Sequence, residues 1–164
     1  MDLRLATQED LPTLVDIYNQ AIMAGEKTAD MDIFTVASRQ AWFDSHCDER
    51  YPLIVSEVEG KVVGYVSLSA YRPGRQAFIN TVEISYYIDF DYHGKKFGAI
   101  MINEILAYAE KLNYQTVVAM LIESNFASIK LLERNGFQRW GFLPDVADFH
   151  GKRLGHLFYG KRFE

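Results

Sequence analysis

An apolar strand pattern ending at Asp89 passes, across Tyr92-His93-Gly94-Lys95-Lys96-Phe97-Gly98, into a helical pattern from Ala99 to Leu112. This junction constrains the chain more than any other segment. A helix start leaves N–H groups unpaired and presents the positive end of the dipole, which suits a phosphate. Gly94 and Gly98 let the backbone come close to a ligand. Lys95 and Lys96 add charge. A lysine pair is ordinarily solvated surface. Placed after Gly94 at a helix start, it favours ligand contact, with the loop N–H groups contributing more than either side chain. The junction points to a phosphate-bearing cofactor.

The elements around it set the fold class. Leu3 to Ala6 reads as a short strand. Thr7-Gln8-Glu9-Asp10 is a capping-box-like start, with Asp in the usual Glu position. The helix it opens runs to about Met23, with Leu11, Leu14, Val15 and Tyr18 on one face. Val36 to His46 reads as a second helix. Leu53 to Val58 and Lys61 to Ala70, joined by Glu59-Gly60, form a hairpin. Phe78 to Asp89 reads as one long strand. After the glycine-lysine helix come a strand, Gln115 to Ile122, and a short helix, Asn125 to Asn135, ended by Gly136. Two last strands, near Phe137 to Phe142 and Leu154 to Phe163, flank a loop. An antiparallel hairpin followed by alternating strands and helices predicts an α/β fold, a mixed sheet with helices on both faces. At 164 residues, one domain spanning 1–164 is expected.

Composition excludes several functions. The net charge of −5 argues against a nucleic-acid binder, which would show a basic face. No apolar run reaches membrane-spanning length. The start, Met1-Asp2-Leu3-Arg4, lacks a signal-peptide pattern. Cys47 is the single cysteine, so no internal disulfide forms, and a cytoplasmic setting fits. With no histidine paired to it, Cys47 reads as a buried or helix-surface thiol rather than a nucleophile. His46, His93, His150 and His156 lack metal-ligand spacing, so no metal is expected. Neither the Walker loop nor the three-glycine dinucleotide fingerprint fits the junction.

A different pattern does fit. His93-Gly94-Lys95-Lys96-Phe97-Gly98 resembles the acyl-CoA loop of the GNAT N-acetyltransferases, Gln/Arg-x-x-Gly-x-Gly/Ala, with His93 and Lys96 departing from it. Asn125-x-x-Ser128 followed by Leu131-Leu132-Glu133-Arg134-Asn135-Gly136-Phe137 resembles the family's next motif. The resemblance runs from Arg4-Leu5-Ala6-Thr7 to Phe158. It narrows to the phosphinothricin and methionine sulfoximine acetyltransferase branch at Arg50-Tyr51-Pro52, Val55-x-Glu57-x-x-Gly60, Tyr71-Arg72-Pro73-Gly74-Arg75-Gln76-Ala77-Phe78 and Thr81-Val82-Glu83.

The resemblance implies a mostly antiparallel sheet of about seven strands, acetyl-CoA as co-substrate, a small amine as acceptor, and a homodimer. It implies cofactor contacts at Tyr86, Ile88, His93, Gly94, Lys95, Lys96, Phe97, Gly98, Ala99, Asn125 and Ser128. It also implies a bulge within the strand segment Glu83 to Ile88. Asn125 can equally be a plain helix N-cap. The resemblance maps the proposed general base onto Glu83, where the bland reading is a solvent-facing strand residue. An ordinary Glu, with a pKa of about 4.3, is a weak base for an amine, so burial would have to raise it.

Many relatives carry a Tyr as general acid where this chain has Leu132. No general acid is assigned, and Tyr86, Tyr87 and Tyr108 read as packing aromatics. An acceptor carboxylate would pair with Arg75 or Arg72 in the loop that faces the acceptor in the resembled branch. Phe34, Tyr71 and Phe78 are candidate pocket walls. A non-catalytic acyl-CoA-binding or sensing module, and an acetyltransferase for another amine or a protein N-terminus, remain alternatives.

Overall fold

The computed structural model describes residues 1–46 and 49–164. The reading of Cys47 as a buried or helix-surface thiol lies outside the described residues. β1 (Asp2–Leu5) leads through a 3₁₀ turn into α1 (Leu11–Ala24), and α2 (Val36–Asp44) follows. Then come β2 (Leu53–Val58), β3 (Lys61–Ala70), β4 (Thr81–Ile88), α3 (Phe97–Lys111), β5 (Thr116–Ile122), α4 (Phe126–Arg134), β6 (Gln138–Phe149) and β7 (Lys152–Arg162). The strands form one seven-stranded sheet in the order β1-β2-β3-β4-β5-β7-β6. Only β4 and β5 run parallel; the other neighbours are antiparallel.

The capping box forms as expected. The Thr7 N–H donates to Asp10 Oδ2 at 2.7 Å. Arg4 donates to both carboxylate oxygens of Asp10, at 2.7 and 2.8 Å, and to Glu57 at 2.8 Å. One guanidinium thus joins β1, β2 and the entry to α1. It holds the Asp10 carboxyl below its usual range, against the opposing effect of burial.

Two apolar cores lie on opposite sides of the sheet. Leu11, Leu14 and Ile17 of α1 and Phe43 of α2 pack on Leu53, Val55 and Tyr65. Met101, Ile102 and Ile105 of α3 and Leu132 of α4 pack on Val66, Leu68, Val82 and Ile84. This is the α/β layering expected from the sequence, with helices on both faces.

Three expectations are corrected. The long strand over Phe78 to Asp89 is shorter, because Gln76–Phe78 is a 3₁₀ turn and β4 begins at Thr81. β3 ends opposite Val82, so Phe78 and Ile79 have no strand to pair with and stand 45% and 48% exposed. The final strands are longer than expected, and β6 and β7 turn at His150-Gly151. Register shifts between Arg139 and Gly141 and between Leu143 and Ala147 break the alternation on which a strand reading relies. Pro144 is tolerated because β6 is an edge strand. The expected bulge within β4 is absent from its pairing with β3, which runs unbroken from Gly64↔Ile88 to Ala70↔Val82.

Candidate active site

β4 and β5 pair only over Thr81↔Thr116, Val82↔Val117 and Glu83↔Val118, then part. β5 stays with β7 as far as Ile122, so the opening lies on the β4 side of β5. Backbone alternation shows which groups this leaves free. Asp89 N–H donates to Val63 O, and Thr81 O accepts from Tyr71 N–H, both across to β3. Asn80 O accepts from Gln115 and Thr116, across to β5. Odd-numbered residues therefore face β3. Beyond the last pair, the even-numbered Tyr86 and Ile88 present their N–H groups, and Tyr86 its C=O, to the opening, where no strand meets them.

A cleft of about 580 Å³ fills this opening, bounded by β4, β5, the first turn of α3 and α4. It is lined by Tyr86, Ile88, His93, Gly94, Lys96, Phe97, Gly98, Ala99, Asn125 and Ser128, ten of the eleven residues expected to contact the cofactor. Lys95 is the exception. Its ammonium sits 4.6 Å from the centre of the Tyr92 ring.

The glycine-lysine loop has the geometry an anion needs. Lys96 caps α3 in the left-handed conformation, φ 66°. That is where the resembled motif has glycine, and a lysine there costs about 1 kcal/mol of backbone strain. The first intrahelical bond of α3 runs from Ile100 N–H to Lys96 O, which leaves the N–H groups of Phe97, Gly98 and Ala99 available. His93 does not extend outward. Its Nε2–H donates to Ile88 O at 2.8 Å, closing the end of the β4 edge. Gly98 is buried where α3 meets α4, and a Cβ there would lie 2.7 Å from Leu131 Cδ2. Asn125 is the N-cap of α4, its side chain accepting from Ser128 N–H at 3.5 Å. Burial pushes the Tyr86 hydroxyl up to about 12, with Ser128 beside it acting weakly the other way.

Glu83 is the last β4 residue paired with β5, so it stands at the apex of the opening. It lies opposite Ser69 of β3. Strand alternation puts it on the same face as Tyr87, whose ring meets Tyr18 of α1 at 4.9 Å. Glu83 is half-buried, and that burial raises its carboxyl above the usual range. Leu132, at the position of the relatives' tyrosine, is 1% exposed and carries no hydroxyl.

Arg72, Arg75 and Phe78 line a separate cavity of about 420 Å³ beyond the N-terminal end of β4, together with Arg50 and Thr81. No carboxylate is among the described residues lining it. Tyr71 joins through an edge contact with Phe78 at 5.6 Å, and the Arg72 guanidinium lies 5.6 Å from the Tyr71 ring. Phe34 is not brought to this group. It packs near Tyr18, 5.8 Å between ring centres, under the Arg39 guanidinium.

Several cleft residues were missed. Lys130 and Arg134 line it from α4, at helical spacing from Ala127, a signal the sequence does carry. Lys27 reaches it from the segment after α1, and nothing local marks it. Among the described residues no cluster of His, Cys, Asp and Glu could hold a metal, and no helix is long and apolar enough to cross a membrane.

The free loop amides, the open β4 edge and a lining with four cations and no carboxylate fit a long phosphate-bearing ligand laid between parted strands. Comparison with known proteins agrees. An acetyltransferase (GNAT) domain model matches residues 1–138. The chain is 39% identical to YwnH of Bacillus subtilis, over 98% of each chain. It is 36% identical to an L-methionine sulfoximine/L-methionine sulfone acetyltransferase of Pseudomonas paraeruginosa, covering 95% of this chain and 91% of that one. A phosphinothricin acetyltransferase from Sinorhizobium meliloti, solved in complex with acetyl-CoA, superposes with a TM-score of 0.93 at 27% identity, covering 98% of this chain and 87% of that one. The chain belongs to the GNAT acetyltransferase family.

Proposed function

We propose that this protein transfers the acetyl group of acetyl-CoA to the amino group of a small amino-acid-like acceptor, of the phosphinothricin or methionine sulfoximine kind, by direct attack in a ternary complex. The observation that carries this reading is the place of Glu83, a half-buried carboxylate at the apex of the β4–β5 opening. The phosphate-suited loop lies at the other end of that opening. From Glu83 to Ile88, β4 offers about 17 Å of edge, enough for an extended pantetheine arm. The open N–H groups of Tyr86 and Ile88 and the C=O of Tyr86 hold the arm as a further strand would.

Acetyl-CoA supplies the acetyl group, and CoA departs as thiolate. A leaving thiol with a pKa of about 8.5 needs no protonation to depart near neutral pH, in keeping with Leu132 at the usual general-acid position. Glu83 takes the ammonium proton of the acceptor, directly or through water, and its raised pKa makes it the better base. A free N–H on the β4 edge faces the carbonyl oxygen as negative charge builds. Arg75 and Arg72 take the acceptor's carboxylate, as forked donors do. Tyr71 and Phe78 are the apolar walls of this reading; Phe34 packs apart from them, near Tyr18.

The protein is read as one 1–164 domain working in the cytoplasm as a homodimer, with no metal and no nucleic-acid or membrane partner. Glu83→Gln tests the mechanism. Turnover should fall at least about 100-fold, with acetyl-CoA affinity, read by calorimetry, unchanged. Near-normal turnover in that variant would remove Glu83 from the chemistry.

A further inference from the structure

We propose that Glu26 latches the segment Gly25 to Phe34 as a strap over the Glu83 side of the β4–β5 opening. The strap closes over the bound amine acceptor and unlatches to admit acceptor and release product; this rests on the acetyl-transfer reading above.

The strap joins the two banks of the opening. α1 belongs to the β4 bank: the Tyr18 ring meets that of Tyr87 at 4.9 Å, and Gln20 Oε1 accepts from Phe90 N–H at 2.9 Å. Glu26, just past the end of α1, reaches the β5 bank. Its Oε2 accepts from Ser124 Oγ at 3.1 Å, in the turn after β5. Its Oε1 accepts from Lys152 Nζ at 2.5 Å, at the start of β7. One carboxylate thus spans the gap that opens beyond Glu83↔Val118. Ala21 and Lys27 line the opening here, with Ser85 and Tyr87. Ser85 and Tyr87 share a strand face with Glu83, while α3 and α4 cover the other face. An amine that gives its proton to Glu83 therefore comes in on the α1 side, where the strap crosses.

The strap is held unequally at its two sides. On the β4 bank, Tyr18 Oη bonds Thr28 Oγ1 at 2.8 Å and donates to Asp30. Asn19 also exchanges two hydrogen bonds with the Phe34 backbone, each 2.9 Å. Among the hydrogen bonds of the described residues, only those of Glu26 tie the strap to the β5 bank. Lys152 is 62% exposed, and a solvated ion pair of this kind is weak. The backbone supplies the pivot. Gly25 ends α1 at φ 76°, and Glu26 is itself left-handed at φ 59°. A glutamate rarely takes that conformation, and such strain persists only where neighbouring bonds hold it. Releasing the carboxylate from Ser124 and Lys152 lets the strain relax. The latched and open strap therefore lie close in free energy, as a gate requires.

The test reads the strap and the reaction separately. Trypsin cutting between Lys27 and Thr28, followed by mass, reports the open population, because Thr28 is buried while the strap is closed. Lys152→Gln breaks the latch without altering the sequence at the cut, and should speed the cut about threefold. Steady-state kinetics with phosphinothricin and L-methionine sulfoximine then compare wild type, Lys152→Gln, Glu26→Gln and the reversed pair Glu26→Lys/Lys152→Glu, with thermal melts to check folding. Each Gln variant should raise the acceptor KM about threefold, with kcat not lowered and calorimetric acetyl-CoA affinity unchanged. The reversed pair should restore the wild-type KM. The inference is overturned if Lys152→Gln is cut no faster than wild type, if the Gln variants keep the wild-type acceptor KM, or if acetyl-CoA affinity falls with it. If wild type acetylates no amine, the acetyl-transfer reading has failed, however fast the cut, and the strap's role falls with it.

Discussion

Gly98→Ala probes the packing that shapes the cleft. The added Cβ would sit 2.7 Å from Leu131 Cδ2 and 3.5 Å from Ile88 Cδ1. The first distance is about 0.7 Å short of ordinary contact, so Leu131 has to turn away or α4 has to move back from α3. Such overpacking costs about 1–3 kcal/mol. Replacing glycine with alanine in a helix returns up to about 1 kcal/mol. The net loss is about 1 kcal/mol, a fall in melting temperature of about 2–4 °C for a chain of this size. Ligand binding should suffer beyond stability, because the amide of residue 98 and the α4 face both border the cleft. We expect acetyl-CoA affinity to drop about tenfold, or 1.4 kcal/mol. Thermal unfolding and calorimetric titration read the two effects separately. An alanine variant as stable as wild type, binding acetyl-CoA equally well, would refute the close approach of α3 and α4.

Two further predictions concern titrating groups. Asp10→Asn removes the charge that caps the entry to α1 and pairs with Arg4, and should cost about 2 kcal/mol at neutral pH in chemical denaturation. The folded pKa of Asp10 is depressed, so its contribution is present above the unfolded value and lost as pH falls through the folded one. The gap between wild type and variant should therefore close below about pH 4. Glu83 has the opposite sign. Its folded pKa is raised, so it favours folding below its unfolded value, and that contribution is lost as pH rises through the folded value. Glu83→Gln should thus melt at or above the wild-type temperature at pH 7, while kcat/KM of wild type climbs with pH through the raised value. A variant clearly less stable than wild type at pH 7 would contradict a desolvated carboxylate.

Much of the site was legible because it is local in sequence. The strand, glycine-lysine loop and helix that make the phosphate-suited end are consecutive, and ten of the eleven residues expected there line one cleft. Lys95 does not line that cleft itself; its ammonium lies against the ring of Tyr92, which does. The parting of β4 and β5 is a tertiary event between segments more than 30 residues apart, invisible to periodicity. β6 was cut short in the reading because Pro144 and two register shifts hide a strand that its partner β7 nonetheless holds. The candidate acceptor side was least legible. Phe34, Tyr71 and Phe78 are equally apolar, yet only the latter two meet, and no local pattern distinguishes them.

The most direct test of acetyl transfer to a small amino-acid-like acceptor is mass detection of acetylated product. Purified protein would be incubated with acetyl-CoA and, in turn, phosphinothricin, L-methionine sulfoximine and a panel of other amines. A no-acceptor control is needed, because the thiol of Cys47 reacts with reagents that report free CoA. The account predicts acceptor-dependent N-acetyl product with amino-acid analogues ahead of simple amines. Bound acetyl-CoA with no acetylated product from any amino-acid analogue would contradict it.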